Sequence, residues 1–356
     1  MSSIRLAQAG ICVTLYEKKA YPFHRVCGEY ISNEVLPFLE SLQINVQHLQ
    51  PAKIEQFLLS SPSGQELTLP LDLGGFGVSR YALDAYLVQL ARAAGVTVVE
   101  KTQVQEVTFQ NYIFSVQLAN GTVTEADLVV GSYGKRSHLD RKLNRAFFAQ
   151  SSPYLGVKYH VKTDMPRNLI ALHNFKDGYA GISAIEEDKF CFCYLTTRAN
   201  LKVAGSIAQM EKQVLAQNPA LRKILNTAEF LWPQPEVINE ISFASKTCVE
   251  NHVLLCGDAA GMITPLCGNG MAMAIHAAKI LTDVILRFRN GTYTRTELEN
   301  MYTQQWQRLF SRRLWIGRTV QQLFGRPLLT EMVVSTFKQL PAGVRFLMKR
   351  THGEPF

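Results

Sequence analysis

The sequence predicts an α/β protein with three parts: a parallel sheet without its first strand, an antiparallel β-sheet domain interleaved with it, and a helical C-terminal region. Three observations predict this architecture. A helix end, a glycine and a short apolar strand follow one another at the N-terminus, in residues 4–17. Strand-like runs dominate residues 153–245, and the chain is helical in pattern from Tyr293 onward.

The N-terminal segment is typical of a unit that binds a dinucleotide. Residues 4–9 are predicted to end a helix, with Gly10 at the position after its last turn. Residues 11–16 form an apolar strand that ends in Glu17. In βαβ dinucleotide-binding units, an acid at this place binds the ribose diol. The alternative is a surface glutamate at a strand end.

The glycine fingerprint of such a unit lies about 20 residues before the acid. Counting back from Glu17 places it before Met1, and G-x-G-x-x-G occurs nowhere in the sequence. We therefore expect a Rossmann-like domain whose first strand and glycine loop are missing. A late start codon, a fragment or a cloning boundary would explain this.

The middle of the chain supplies further elements of the same domain. Ser79 is predicted to cap an amphipathic helix that Gly95 closes. Asn120-Gly121 predicts a type I′ hairpin turn. The apolar run 127–131 is typical of a buried parallel strand, and it leads into the polar loop 132–137. The other predicted strands are residues 96–99, 104–109 and 113–118.

A separate antiparallel sheet is predicted for residues 153–245, with strands at 155–161, 179–185 and 190–195 and a helical insert near 207–216. A hairpin of residues 54–60 and 66–71 is assigned to the same sheet. The predicted domains are residues 1–50, 79–147 and 246–290 for the dinucleotide-binding part, 51–78 and 148–245 for the substrate domain, and 291–356 for the C-terminal helices.

The most informative motif begins with a buried strand at residues 253–256 that runs into Gly257-Asp258. Pro265 and the Gly268-Asn269-Gly270 turn follow, and then a long helix that Asn290-Gly291 ends. An acid at a strand end can accept hydrogen bonds from a polyol. A glycine-rich helix start offers free N–H groups to an anion or an electron-rich ring. The alternative, a turn that only packs a helix on a sheet, does not account for the combined spacing.

In this order, the motifs resemble those of FAD-dependent oxidoreductases that include p-hydroxybenzoate hydroxylase, flavin-dependent halogenases and geranylgeranyl reductases. The resemblance rests on the strand ending at Glu17, the loop 25–29, the Ser79-Arg80 helix start, the segment 127–137 and the motif from Gly257 to Gly270. It covers roughly residues 4–291. It implies a Rossmann-like FAD-binding domain and FAD as the cofactor.

The resemblance also implies roles for individual residues. Glu17 would bind the adenosine ribose, and Gly257-Asp258 the ribityl chain. Pro265, Gly268, Asn269 and Gly270 would line the flavin ring. Arg25, Cys27, Gly28 and Glu29 would lie near the ribityl chain and the ring, and Arg80 near the cofactor. Cys27-Gly28 resembles the loop of geranylgeranyl reductases, although a small residue chosen for fit is the other interpretation of Cys27.

The chain departs from the family pattern where Ser132-Tyr133-Gly134 replaces Ala-Asp-Gly. The family's Asp is associated with the pyrophosphate and with NAD(P)H, so its replacement leaves the nicotinamide site open. Lys135 and Arg136 supply positive charge nearby. The resemblance implies NAD(P)H as the electron donor.

Two chemistries share this scaffold, hydroxylation by a monooxygenase and hydride delivery to a double bond. We expect either to act on a small hydrophobic molecule. The sequence shows no compelling acid–base pair, so no catalytic residue is assigned. The alternative function is a truncated, non-catalytic remnant that no longer holds FAD.

Composition limits the remaining choices. The formal net charge is +8, but Lys and Arg are spread along the chain without a zinc-finger or RNA-binding signature, so no nucleic-acid partner is expected. The seven cysteines contain no CxxC pair, which predicts neither a metal site nor a disulfide framework. Cys12, Cys191 and Cys256 lie in apolar runs and are predicted to be buried thiols.

A reducing cytoplasm is the expected location. No apolar run is long enough to span a membrane. The C-terminal residues combine Arg and Lys with large apolar side chains. This pattern fits either peripheral contact with an anionic membrane or a helix pair that is docked on the body with a basic outer face.

Overall fold

The computed structural model describes residues 1–264, 268–323, 326–339 and 353–356. Its helices are α1 (Ser2–Gln8), α2 (Leu36–Ser41), α3 (Arg80–Ala93), α4 (His138–Lys142), α5 (Arg198–Ala204), α6 (Ile207–Gln213), α7 (Pro219–Thr227), α8 (Gly270–Arg289), α9 (Arg295–Leu323) and α10 (Pro327–Gln339). The fold is α/β, as predicted.

The strands are grouped in four sheets. They are β1 (Thr14–Tyr16), β2 (Tyr30–Ser32), β3 (Ala52–Ser60), β4 (Glu66–Gly77), β5 (Thr97–Val99), β6 (Val104–Gln110), β7 (Ile113–Leu118), β8 (Val123–Ala126), β9 (Val130–Gly131), β10 (Tyr154–Lys162), β11 (Leu169–Phe175), β12 (Gly178–Ala184), β13 (Phe190–Thr197), β14 (Glu229–Phe230), β15 (Glu236–Asn239), β16 (Val249–Glu250) and β17 (Val253–Leu255).

The largest sheet has nine strands in the order β14-β10-β13-β12-β11-β3-β4-β2, and β15 also pairs with β10. Neighbouring strands of this sheet run antiparallel, as predicted, except that β3 and β11 run parallel. The sheet also takes in β2, which comes from the N-terminal segment and pairs with the end of β4. The loop 25–29, which is predicted to bind the cofactor, leads into β2 and therefore lies at the edge of this sheet. The predicted domain boundaries stay a prediction.

The parallel region consists of β1, β5, β9, β16 and β17 with helices α1, α3 and α8. It contains two separate ladders: β1 pairs in parallel with β5, and β9 pairs in parallel with β17, whose other neighbour is β16. Within the described residues, β1 and β9 each pair on one side only. The region predicted to lack a strand is thus divided into two small pieces.

Local sequence signals explain where several elements begin and end. The Ser79 hydroxyl accepts a hydrogen bond from the backbone N–H of Ala82 and caps α3, as predicted. Gly10 and Gly291 follow α1 and α8 with φ of 79° each, a conformation that favours glycine.

Two sequence-based expectations are wrong in detail. Only Gly121 in the turn after β7 has positive φ, so this turn is not type I′, which needs positive φ at Asn120 as well. Cys12 is exposed, because the strand after Gly10 begins at Thr14 rather than at residue 11. Cys191 and Cys256 are buried, as predicted.

Three of the four buried apolar clusters in the described residues hold these layers together. One joins α8 and α9 to β17, with Leu254, Leu281 and Tyr302 fully buried. A second fills one side of the nine-stranded sheet beneath α6 and α7. A third packs α1 and α3 against α2 and the face of α8 that carries Ala272 and Ile275. None of the described helices has the length and hydropathy of a membrane span.

Candidate functional site

A chain of alternating charges follows the end of β1 and the first turn of α3. The Glu17 carboxylate is 3.0 Å from the Arg25 guanidinium, which also contacts Asp84 at 3.2 Å. Arg80 donates two hydrogen bonds to Asp84, at 2.8 and 2.7 Å. The structure therefore brings together three predicted cofactor residues, Glu17, Arg25 and Arg80. Asp84, which the sequence analysis missed, is the carboxylate that links them.

The loop that carries Cys27 and Gly28 ends in a buried ion cluster. Glu29 has φ of 56° and is fully buried, and its carboxylate contacts the ammonium of Lys158 and lies 2.7 Å from the His160 ring nitrogen Nε2. It also accepts a hydrogen bond from the Arg80 backbone N–H at 2.8 Å. Burial raises the pKa of Glu29, but the His160 hydrogen bond and the Lys158 charge outweigh it and hold this pKa below its ordinary value.

This cluster fixes the loop to the nine-stranded sheet, because Lys158 and His160 both lie on β10. The Lys158 ammonium also donates to the backbone carbonyl of Arg25, at 3.1 Å. Burial raises the pKa of the Cys27 thiol in the same loop. Gly28 has open space where a side chain would project, so its backbone stays accessible to a ligand. Direct contact between Glu29 and a flavin stays a prediction.

Aromatic side chains surround the same cluster. The His24 ring stacks on Tyr81 at 4.6 Å between centroids and lies 4.4 Å from the Trp232 ring. Trp232 also lies 4.5 Å from His160. Burial, and then the charge of Lys158, lower the pKa of His24 to about 4. At neutral pH this ring is therefore uncharged and adds no second cation to the cluster, and its buried Nδ1 atom has no hydrogen-bond partner among the described residues.

Gly257 and Asp258 follow β17 after one intervening residue, Cys256. Gly257 has φ of 63°, which allows the chain to turn sharply after the strand. Among the described residues, no hydrogen bond ends on the Asp258 carboxylate. Burial raises its pKa, and the charges of Lys246 and Arg80 lower it. A half-buried carboxylate without a donor partner is free to accept hydrogen bonds from a ligand that supplies hydroxyl groups.

The backbone around Asp258 is held by buried cations. Lys246 donates to the backbone carbonyls of Asp258 and Lys135, at 2.8 and 2.7 Å, and burial lowers its pKa to about 8. Arg145 is ion-paired with Asp140 at 2.7 Å and donates to the backbone carbonyl of Ala259 at 2.9 Å. Because these groups contact main-chain atoms, the Asp258 side chain itself remains uncommitted.

Tyr133, which stands where the family has an Asp, belongs to this support. Its hydroxyl donates to Asp140 at 2.9 Å, so it fixes the loop rather than presenting a charge. Arg136 donates to the Phe148 carbonyl at 2.7 Å and lies 3.8 Å from Glu240. Its charge is thus partly engaged within the chain.

The remaining predicted residues surround the start of α8. Gly268 has φ of 65° and lies beside the Tyr30 ring, where a Cβ atom would approach to 3.4 Å. Asn269 is buried and immediately precedes α8, and Gly270 is its first residue. Pro265, the other residue predicted to line the flavin ring, lies outside the described residues.

Sequence reasoning did not find Asp84, Lys158 or His160 as partners of the predicted residues. Lys158 is 129 residues from Glu29 in sequence, and no local pattern connects them. The available signal was Lys158 itself, because a lysine within an apolar strand run requires a partner. Tyr159 and His173, which were given no catalytic role, make internal contacts with Glu211 and Ser60.

The fold and the arrangement of the site residues together define a protein of the dinucleotide-binding α/β class with a second, mostly antiparallel sheet. A family model described as "FAD binding domain" matches residues 1–309. Because this match spans most of the chain, the protein belongs to the FAD binding domain family.

Known proteins that are similar to this chain are distant in sequence. Conditioned medium factor receptor 1 of Dictyostelium discoideum is 21% identical, and the alignment covers 96% of this chain and 71% of that protein. CmlS, a flavin-dependent halogenase, is 22% identical with a TM-score of 0.74 over 88% of this chain, which spans 60% of the CmlS chain.

Two further solved structures cover nearly the whole chain. PqsL of Pseudomonas aeruginosa, described as a probable FAD-dependent monooxygenase, has a TM-score of 0.75 at 14% identity, covering 94% of this chain and 95% of that one. A triple mutant of the flavin-dependent brominase Bmp2 has a TM-score of 0.79 at 16% identity, covering 99% and 92%. At these identities the similarity supports the fold.

Proposed function

We propose that this protein binds FAD and oxidises a small hydrophobic organic molecule, with the monooxygenase as the preferred class. The observation that carries the proposal is the uncommitted carboxylate of Asp258 between β17 and the glycine-rich start of α8. The family match and the fold of the flavin-dependent halogenases and monooxygenases support the same cofactor. Double-bond reduction remains the second chemistry of this proposal.

The described residues fit FAD at several points. Asp258 would accept hydrogen bonds from ribityl hydroxyls, and Glu17 from the adenosine ribose. Gly28 leaves room for close approach of the ligand to the backbone. Arg80, within electrostatic reach of Asp258, would supply positive charge to the phosphates. When bound, FAD would supply the redox chemistry, and the protein binding, orientation and exclusion of water.

The substrate would lie between the flavin and the nine-stranded sheet. The rings of His24, Tyr81 and Trp232 pack together beside the loop 25–29, and their aromatic surface supports a hydrophobic substrate. PqsL has been solved in complex with 2-aminobenzoylacetate, so that protein binds a small organic molecule. NAD(P)H is proposed as the electron donor.

The non-catalytic alternative is not favoured. The unpaired edges of β1 and β9 and the pairing of Glu17 with Arg25 are compatible with it. The alternative gives no reason, however, for a half-buried carboxylate that makes no hydrogen bond among the described residues and lies beside a glycine-rich helix start.

FAD titration of Asp258 variants tests the proposal. Asp258→Ala should weaken FAD binding by about 1.5–3 kcal/mol, the contribution of hydrogen bonds to a charged group. Asp258→Asn should weaken it less, because the amide oxygen still accepts hydrogen bonds. Asp127→Ala, which removes an exposed carboxylate that pairs with Arg289, is the matched control. Quenching of flavin fluorescence measures the affinity, and equal affinity in all four proteins would contradict the assignment.

A further inference from the structure

A second cavity lies where the chain crosses between the parallel region and the nine-stranded sheet. It has a volume of about 230 Å³. Its walls are the outgoing segment 150–154, the returning segment 241–244, and Arg318 and Gln321 of α9. None of the residues predicted to bind the cofactor lines it. The cavity is therefore lined by a different set of residues from the predicted cofactor site.

The two crossing segments are rigidly connected. The Ser152 hydroxyl bonds to the backbone carbonyl of Ile241, and the Ser152 backbone N–H donates to Glu240 at 3.1 Å. Ser152 and Ile241 are both buried. The cavity walls are thus held by hydrogen bonds within the chain, as expected of a pre-formed site.

One side of the cavity carries a positive charge without a carboxylate partner. Among the described residues, the Arg318 guanidinium donates only to neutral acceptors, the Ser245 hydroxyl at 2.8 Å and the Phe243 carbonyl at 3.4 Å. The closest acid on the crossing, Glu240, is already paired with Arg198 at 2.9 Å and with Arg136 at 3.8 Å. The local balance of charge therefore favours an anion.

Gln321 supplies a second polar group. It is 8% exposed, and its side-chain oxygen is buried with no hydrogen-bond partner in the described parts of the chain. It lies three residues after Arg318, and such positions share one face of a helix with Cβ atoms about 5–6 Å apart. A buried acceptor of this kind loses free energy unless a donor reaches it.

Aromatic and apolar side chains also line the cavity. The rings of Tyr154 and Phe243 lie 5.5 Å apart at 58°, next to Ile241. The volume corresponds to roughly eight water molecules at about 30 Å³ each, which suits a ligand with one ring. We propose that this cavity binds a single-ring aromatic carboxylate that also carries an N–H or O–H donor. Its carboxylate contacts Arg318, its donor contacts Gln321, and its ring contacts Tyr154 and Phe243.

Three probes separate these contacts: 4-aminobenzoate has both polar groups, benzoate lacks the donor, and aniline lacks the carboxylate. Calorimetric titration of the full chain should give affinities in the order 4-aminobenzoate, benzoate, aniline. Arg318→Ala should lower the affinity for 4-aminobenzoate and for benzoate by about tenfold or more, and it should leave the affinity for aniline unchanged. Gln321→Leu should weaken 4-aminobenzoate several-fold and leave benzoate unchanged.

Arg312→Ala, at an exposed position of the same helix, is the control and should change no affinity. Circular dichroism and thermal melting establish that each variant is folded. No binding of 4-aminobenzoate at millimolar concentration, or equal binding by the parent and Arg318→Ala, would overturn the proposal. The titrations are repeated with FAD present. If FAD binds but 4-aminobenzoate does not, this inference is wrong and the proposed function is unaffected, because the cavity does not depend on that function.

Discussion

The nine-stranded sheet and the parallel region treat their polar groups differently. In the sheet, the His173 ring nitrogen Nδ1 lies 2.8 Å from the Ser60 hydroxyl, which also accepts from the Asn218 amide at 2.9 Å. In the parallel region, Asp258 has no such partner among the described residues, and β1 and β9 each pair on one side. These buried side chains of the sheet thus bond to one another, although the Asn174 Oδ1 atom on β11 has no partner in the described parts of the chain. The parallel region, in contrast, leaves the Asp258 carboxylate for another partner.

This difference indicates which region of the molecule binds a ligand. Buried polar groups that bond to one another stabilise a fold, and those left over indicate a missing component. The cluster of Glu29, Lys158 and His160 joins the two regions. The loop 25–29 is therefore positioned by the nine-stranded sheet, which carries Lys158 and His160 on β10.

Amide hydrogen exchange should give the largest contrast. In protein without FAD, amides of β12, which pairs on both sides, should exchange more than about a thousandfold more slowly than those of β1 and β9. The reason is that strands paired on one side open locally without unfolding of the rest. Mass-spectrometric exchange of peptides from each strand measures this. Equal protection would break the comparison, because it would mean that the parallel region is as stable as the sheet.

Removal of the charge that joins the regions should have the next largest effect. Lys158→Met leaves the buried Glu29 carboxylate without its ammonium partner and should lower the free energy of unfolding by about 3–5 kcal/mol. Lys162→Met, on the same strand but half exposed beside Glu229, should change it by less than about 0.5 kcal/mol. Urea unfolding measures both. A loss of under about 1 kcal/mol at Lys158 would show that the two regions are not joined by this pair.

The pH dependence of stability should show a smaller effect from within the sheet. Burial lowers the pKa of His173 from 6.5 to about 4. Between these values the unfolded chain binds a proton that the folded chain does not, so the free energy of unfolding falls as the pH is lowered from 6.5 to 4. This one group contributes up to about 3 kcal/mol.

His173→Gln should therefore flatten the dependence, whereas Ser60→Ala, which removes its neighbour but keeps the imidazole, should preserve it. Urea unfolding at pH 4.5 and pH 7 gives the slope for each protein. An unchanged slope in His173→Gln would mean that the buried ring is not the titrating group.

Much of the architecture follows from local sequence. The cap at Ser79, the glycines that end α1 and α8, and the apolar strand before Gly257 depend on residues within a few positions of one another, so one sequence suffices to find them. The α/β class and the family resemblance rest on these signals. The first strand began later than predicted because apolar alternation does not determine where pairing starts.

Contacts across long sequence separations were decided only by the tertiary structure. Asp84 became the link between Arg25 and Arg80 because α3 packs beside the end of β1, and Lys158 met Glu29 because β2 joined the nine-stranded sheet. The parallel pairing of β3 with β11 arose in the same way. Helix caps and turns depend on neighbouring backbone groups, which the sequence specifies directly. Partners of buried charges depend on which distant strands become neighbours, and only the folded chain determines that.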